Sequence, residues 1–515
     1  MQLSPDERAL LAPYVTSLDS PVFALKNLPE EVVAVLFAYY SRSRESLRTN
    51  LLKLIQDRDL DVAGPTAADA SDEEELAQAR KKAKEFHEKW VVGYGHASVA
   101  EHAVAHIAIE EVSIIASKVI EDARLAAYTE KSTRYVPFGR VYYHAPELTG
   151  ASGTLYRETI EHLFDVYEEL LPQVTARVAE TADRSQFKTD RGFQNSCQAQ
   201  ACDALRYLLP AATHTNIGLT ANARTLEHLI SKLLSHPLPE VQEVGERIRV
   251  EATKLIPTLI KYARVKDYWI ETPPIMRALA DDLLGDGAPL TTPTGAEVVI
   301  VQAPEEAEAR LAAAILYEYT EQPYEAVWTR VRDLSADEHR RVIEEYLARR
   351  KTYGTAPHTY TDPPLRSLEH LYFTFDVLVD YGAYRDIQRH RMATQTTQRL
   401  TCAHGYDVPE LVETYGFGDA FRAAMDRAAK AYAMLAAELP EEAQYLVPLA
   451  YRKRVLFTWN LRALHHFVSL RSARQGHISY RRIAQAVWRE LDRTHPFLAR
   501  FINVDMDDYE MARPG

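Results

Sequence analysis

Cysteine is nearly missing from this chain: Cys197, Cys202 and Cys402 are the only three among 515 residues. Three thiols cannot build a disulfide framework or a four-cysteine zinc site. Cys197 and Cys202 are five residues apart, the spacing of no common redox motif, so all three are expected to be plain buried thiols. Positive charge is also in deficit. A formal net charge of −13 makes the chain a poor general binder of DNA, RNA or anionic membrane, so neither nucleic acid nor membrane is expected as a partner. Uncharged apolar runs are short, and none reaches the roughly 18 residues needed to span a bilayer. The opening stretch MQLSPDERALLAPYV has the features of neither a signal peptide nor a lipidation site, so a cytoplasmic location is expected.

What is present is the composition of a soluble globular protein, 46% hydrophobic and 26% charged, long enough for two large domains with ample cores. The chain also repeats itself. Val22-Phe23-Ala24-Leu25 followed by Pro29-Glu30-Glu31 is echoed by Val298-Val299-Ile300-Val301 followed by Pro304-Glu305-Glu306. Each reads as a short buried strand and then a helix whose acidic first turn suits its dipole. Glu101-His102 is echoed by Glu369-His370, each pair in a helix-like apolar stretch. Leu208-Leu209-Pro210 leads to Asn222, Arg224 and His228, and Leu446-Val447-Pro448 leads to Asn460, Arg462 and His466. Pro210 and Pro448 are separated by the same interval as Asn222 and Asn460, 238 residues, which is unlike coincidence.

The expected organisation is therefore a first unit over residues 1–270, a linker over 271–295 and a second unit over 296–515. Asp286-Gly287-Ala288-Pro289 and Thr294-Gly295 supply the linker composition, and the small acidic stretch Gly64 to Glu75 reads as a solvated insertion. Amphipathic helix dominates the rest. The fold class expected is α+β, two tandem helix-rich units each with a small sheet.

The densest chemistry lies in Arg385-Asp386-Ile387-Gln388-Arg389-His390-Arg391. Arg385 and Arg389 are spaced to share a helix face, and arginine forks grip phosphate. A solvated basic stripe is the plainer reading, but the preceding stretch from Phe373 to Tyr384 is too apolar for a surface helix. Thr394-Gln395-Thr396-Thr397-Gln398 before Arg399 is a run of neutral hydrogen-bonding groups, suited to an edge that binds a polar ligand. In the first copy, Gly95-His96-Ala97-Ser98 leads into a helix that Ser98 can cap with Glu101 as its capping-box partner. Glu130, Ser132 and Arg134 are two apart each and can serve a base edge, a sugar and a phosphate. Leu470-Arg471 closes a helical stretch, where an arginine can simply complement the dipole.

Taken together, these motifs resemble the flavin-dependent thymidylate synthase family. That family carries Gly-His-x-Ser/Thr-x-x-Glu-His upstream, an Arg-His-Arg triplet, then an acid, a serine and an arginine, then Arg-x-x-Leu-Pro, Asn-x-Arg and a catalytic Leu-Arg. The resemblance covers roughly residues 20–262 and 296–505. The first half keeps His96, Ser98, Glu101, Glu130, Ser132, Arg134 and Arg206, but has Asp122-Ala123-Arg124 for the triplet, Ala127 for a serine and Leu233 for the catalytic arginine. The second keeps Arg389, His390, Arg391, Asn460, Arg462 and Arg471, but has Pro364 for His96 and Gln444 for Arg206. The losses are complementary, which implies composite sites that combine the halves, with about half the family's potential sites lost.

The resemblance implies reductive methylation of dUMP to dTMP, with FAD as cofactor and methylenetetrahydrofolate and NADPH as co-substrates. It implies Arg471 as the catalytic residue. Arg389, His390, Arg391, His96, Ser98, Glu101, Asn460, Arg462 and His466 are the flavin-binding candidates. Glu130, Ser132, Arg134, Arg206 and Arg399 are the nucleotide-binding candidates. A homodimer is implied by analogy with a family that assembles four single units. Two other readings stay open: a related flavin-dependent modification of another pyrimidine nucleotide, and a non-catalytic flavin- or nucleotide-binding homologue. A metal hydrolase built on His96, His102 and His390 lacks any supporting ligand spacing, and no metal is expected.

Overall fold

Period-two burial produces strands where the sequence is richest in β-branched and aromatic residues. The computed structural model describes residues 3–41, 43–56, 97–139, 142–285, 295–351 and 362–508. His96, the acidic stretch from Gly64 to Glu75, and residues 286–294 of the expected linker lie outside them. The chain is a helix-rich α+β protein with two small sheets, one in each half. The first holds β1 (Val104–Ser113), β2 (Ala126–Glu130) and β3 (His214–Asn222) in the order β1-β3-β2. The second holds β4 (Val298–Gln302), β5 (Tyr372–Asp380), β6 (Thr394–Thr397) and β7 (Arg452–Asn460) in the order β4-β5-β7-β6.

Contacts divide the chain into two compact units that cut across the repeat. One comprises residues 1–112, 119–131 and 215–285; the other comprises 113–118, 132–214 and 286–515. In the first unit β2 and β3 pair antiparallel from Ala126↔Ala221 to Glu130↔Ile217. Its helix Ala223–Leu234 buries Leu226, Leu229, Ile230 and Leu233 against the helix Pro239–Leu255. A Cβ at Gly245 would lie 2.7 Å from Leu233 Cβ, so glycine is what lets these two helices approach. The helix Asp267–Leu284 follows and runs through the first part of the expected linker.

In the second unit β5 and β7 pair antiparallel along their full length, from Tyr372↔Asn460 to Asp380↔Arg452. Phe373, Phe375, Phe457 and Trp459 alternate inward, and Trp459 stacks between Phe457 and Phe467 at 4.5 and 4.8 Å. This buried aromatic layer fixes the register, because a one-residue slip would turn every ring to solvent.

Two of the equivalent repeat segments meet inside the second unit. Pro210 and Pro448 form an antiparallel bridge. Around it Ala211 N–H donates to Val447 O (2.9 Å) and Leu449 N–H to Leu209 O (3.0 Å). Ala212 N–H donates to Tyr445 O (3.0 Å) and Ala450 N–H to Tyr207 O (3.1 Å). Each bond is the repeat equivalent of its partner, so these two segments pair with one another about a local pseudo-two-fold.

Three expectations are corrected. Val22 to Leu25 form no strand: Val22 is 83% exposed, Leu25 makes only a bridge to Val15, and the Ala24 N–H is taken by Thr16 Oγ1 at 2.8 Å. Pro21 removes a further ladder donor. The stretch with Ser98 does not lead into a helix. Ala97–Glu101 is a single 3₁₀ turn that opens onto β1, as Arg366–His370 opens towards β5, so neither Glu-His pair is in an extended helix. Arg385 and Arg389 do not share a face. The helix ends at Gln388, leaving Arg389 as its exposed C-cap while Arg385 is buried.

Candidate active site

The helix Tyr381–Gln388 starts where Asp380, at the end of β5, caps it by accepting from Ala383 N–H at 2.6 Å. That cap aims the helix so that its last turn delivers Asp386 and then Arg389, His390 and Arg391. Asp386 pairs with Arg389, and Arg206 Nη1 lies 3.7 Å from Asp386 Oδ2. An anion for the basic run is thus partly built into the chain.

Arg471 closes the helix Leu461–Ser472, which Asn460 caps through Ala463 N–H at 2.8 Å. Its Nε donates to His390 Nε2 at 2.7 Å and its Nη2 to the Asp386 carbonyl at 2.7 Å. Arginine cannot accept, so His390 Nε2 is the acceptor and the imidazole is neutral. Burial, reinforced by Arg471, His466 and Arg389, holds His390 well below the usual imidazole range. Its ring packs edge-on to Phe467 at 5.1 Å and lies 5.4 Å from His466.

Facing these groups is an arm of the first repeat. Arg134 grips Asp203 bidentately, at 2.7 Å from Nε and 2.8 Å from Nη2, and its Nη1 donates to Tyr480 Oη at 3.0 Å. Ser132 Oγ accepts from the Arg134 N–H at 3.2 Å and so shapes the turn that carries the arginine. Asp203 sits one turn before Arg206, whose Nε is 3.9 Å from Asp203 Oδ1. Arg206 is 2% exposed, and its Nε and Nη2 find no hydrogen-bond partner among the described residues. Burial opposes the Asp203 charge, yet His477, Arg134 and Arg206 together hold that carboxyl well below its ordinary value. Burial pushes His477 down to about 3.

The second unit therefore brings Arg389, His390, Arg391, His466 and Arg471 together with Ser132, Arg134 and Arg206. Arg462, by contrast, is engaged with Pro364 O at 2.8 Å and Glu369 at 3.1 Å. Arg399 pairs with Glu441 at 2.7 Å. In the first unit, Ser98 is exposed, Glu101 pairs with Arg224 at 2.6 Å, and Glu130 ends β2 opposite Ile217. The three thiols are unactivated: burial raises Cys197, pushes Cys202 up to about 11 and Cys402 up to about 12. Among the described residues no cluster of three or more His, Cys, Asp or Glu could hold a metal, and no helix is long and apolar enough to cross a membrane.

Sequence reasoning missed Asp203, Asp386, His477 and Tyr480. Asp386 stood inside the basic run, and Asp203 three residues before Arg206, so an acid at helical spacing from each arginine was the available signal. Nothing local marked Tyr480.

A family model described as thymidylate synthase complementing protein matches residues 50–258 and 299–497. A UPF0159 protein of Chlamydia muridarum is 36% identical over 527 residues, covering 99% of this chain and 97% of that protein. A UPF0159 protein of Thermoplasma acidophilum is 29% identical, covering 84% of this chain and 91% of that protein. The flavin-dependent thymidylate synthase of Thermococcus kodakarensis is 28% identical over 197 residues, 37% of this chain and 72% of that enzyme. A crystal structure of the Helicobacter pylori flavin-dependent thymidylate synthase with FAD and dUMP covers 41% of this chain and all (100%) of that one, at 19% identity and a TM-score of 0.29. By the two matched segments and its full-length relatives, this chain belongs to the thymidylate synthase complementing protein family.

Proposed function

We propose that the protein is an enzyme that methylates dUMP to dTMP, using methylenetetrahydrofolate, FAD and NADPH, and that it works as a homodimer. The observation that carries this reading is the bond from Arg471 Nε to His390 Nε2. It joins the helix-closing arginine to the basic triplet, two motifs far apart in sequence.

The residues fit a flavin by their chemistry. Arg389 and Arg391 flank a neutral, buried His390, a donor set suited to an anionic dinucleotide. Asn460, Arg462 and His466, at the cap and on the helix that carries Arg471, complete the set of residues proposed to hold it. A reduced flavin bound there supplies the hydride, and the protein positions and polarises.

Arg134 and Arg206 hold the nucleotide, with Ser132 as a further contact. Arg206 has carboxylates at 3.7 and 3.9 Å, yet its Nε and Nη2 make no hydrogen bond among the described residues, and an anionic ligand would supply one. Arg471 stabilises negative charge developing on the uracil ring. Its Nε and Nη2 are already fixed by His390 and Asp386, so little reorganisation accompanies the reaction. No thiol nucleophile takes part, consistent with three unactivated cysteines.

The test is Arg471→Ala in the flavin-loaded protein. Loss of a preorganised charge contact of this kind is expected to lower turnover by roughly a hundredfold or more, with flavin absorbance retained. Unchanged dTMP formation by that variant would sink the assignment.

A further inference from the structure

Tyr480 lies on the first turn of the helix Ile478–Thr494 and is buried, 4% exposed. Two guanidiniums share it. Arg134 Nη1 donates to the phenol oxygen at 3.0 Å, and the Arg134 and Arg471 guanidinium carbons lie 5.6 and 5.2 Å from the ring centroid. Each arginine is fixed by its other contacts, Arg134 by Asp203 and Arg471 by His390 and the Asp386 carbonyl. Two like charges this close repel, and an aromatic ring with a phenol oxygen is a group that can attract both. Space for the ring is made by Gly476: a Cβ there would lie 2.7 Å from Tyr480 Cε2.

We propose that Tyr480 is a positioning residue that sets the spacing between the nucleotide-holding Arg134 and the catalytic Arg471, its phenol oxygen holding the first and its phenol ring lying beside the second. This rests on the roles given to Arg134 and Arg471 under Proposed function. Tyr480 belongs to neither the basic triplet nor the arm that carries Asp203 and Arg206; it bridges them.

The groups facing the phenol are Arg134, Arg471, Asp203 and His477. Burial disfavours the phenolate, but Arg134, the His477 backbone and Arg471 outweigh it, so Tyr480 titrates below a free tyrosine. That gives a readout independent of nucleotide.

The experiment compares full-length wild type with Tyr480→Phe, Tyr480→Leu and Gly476→Ala. Tyr480→Phe is expected to weaken dUMP binding about tenfold, the scale of one hydrogen bond to a charged group, while changing kcat little. Tyr480→Leu, which loses ring and oxygen, is expected to lower kcat as well. Gly476→Ala keeps the tyrosine but displaces its ring and is expected to resemble Tyr480→Phe. The tyrosinate absorbance of wild type minus Tyr480→Phe is expected to rise at lower pH than a free phenol. Wild-type dUMP affinity in Tyr480→Phe and Gly476→Ala, or an ordinary phenol titration, overturns the proposal. If wild type binds no dUMP, the functional reading falls, and the titration alone decides whether Tyr480 links the two arginines.

Discussion

Two arms of the second unit descend from the same repeat segment and have diverged in one informative respect. In the first, Arg134 grips Asp203, and Arg206 follows one turn later with two buried, unpartnered donors. In the second, Arg399 grips Glu441 at 2.7 Å, and Gln444 takes the place of Arg206. Gln444 is internally satisfied: its Nε2 donates to Glu441 O and Oε2 at 3.2 and 2.9 Å, and its Oε1 accepts from Leu400 N–H at 3.2 Å. The arginine–acid pair is present in both arms. The third cation is present in the first arm alone, the arm proposed to hold the nucleotide. The same contrast separates Arg471 from its first-repeat counterpart Leu233, which is fully buried beside Gly245.

Making the first arm resemble the second is the sharpest way to break this comparison. Arg206→Gln removes the third cation, and dUMP affinity measured by calorimetry is expected to fall about a hundredfold or more, the scale of losing a buried charge contact. Asp203→Ala leaves Arg134 buried without its anion, and denaturant titration is expected to show a loss of about 3 kcal/mol. Glu441→Ala, whose partner Arg399 is more exposed than Arg134, is expected to lose less.

Acid acts unevenly on the arms. His477 beside Asp203 is neutral in the folded chain down to about pH 3, while the unfolded chain binds that proton near 6.5. The unfolded state therefore takes up more protons, so stability falls as pH drops through 6.5 and goes on falling to about 3. Each such group contributes about 1.4 kcal/mol per pH unit in that window. Buried His465, also pushed down to about 3, adds in the same direction. His477→Phe is expected to flatten the curve over this range when stability is measured against pH.

The smallest effect on the nucleotide belongs to Gln444 in the second arm. Gln444→Ala loses hydrogen bonds that include one to the Glu441 carboxylate, a stability cost of roughly 1–3 kcal/mol, and dUMP affinity is expected to stay at the wild-type value.

Much of this was legible in sequence because repeats and motifs are local patterns. The tandem copies, the Arg-His-Arg triplet and the helix-closing Arg471 all announced themselves; Asn222 and Asn460 were visible as a repeat pair, and the structure makes both helix caps, with bonds at 2.8 Å. What was not legible depends on partners distant in the chain. Asp203 acquires meaning only when Arg134 folds over it, and Tyr480 only when two arginines from separate segments meet at its ring. Val22 to Leu25 had strand composition but no free ladder, since the Ala24 N–H is held by Thr16. Arg389 had helical spacing, yet the helix stops one residue before it. The compact units also mix the repeats, because residues 132–214 of the first copy fold with the second.

Calorimetric titration of dUMP into the FAD-loaded full-length protein tests the contrast between the arms most directly. One nucleotide per chain is expected, lost in Arg206→Gln and kept in Gln444→Ala. Two nucleotides per chain, or binding that survives Arg206→Gln but not Gln444→Ala, would contradict the assignment of the site to the arm that carries Asp203 and Arg206.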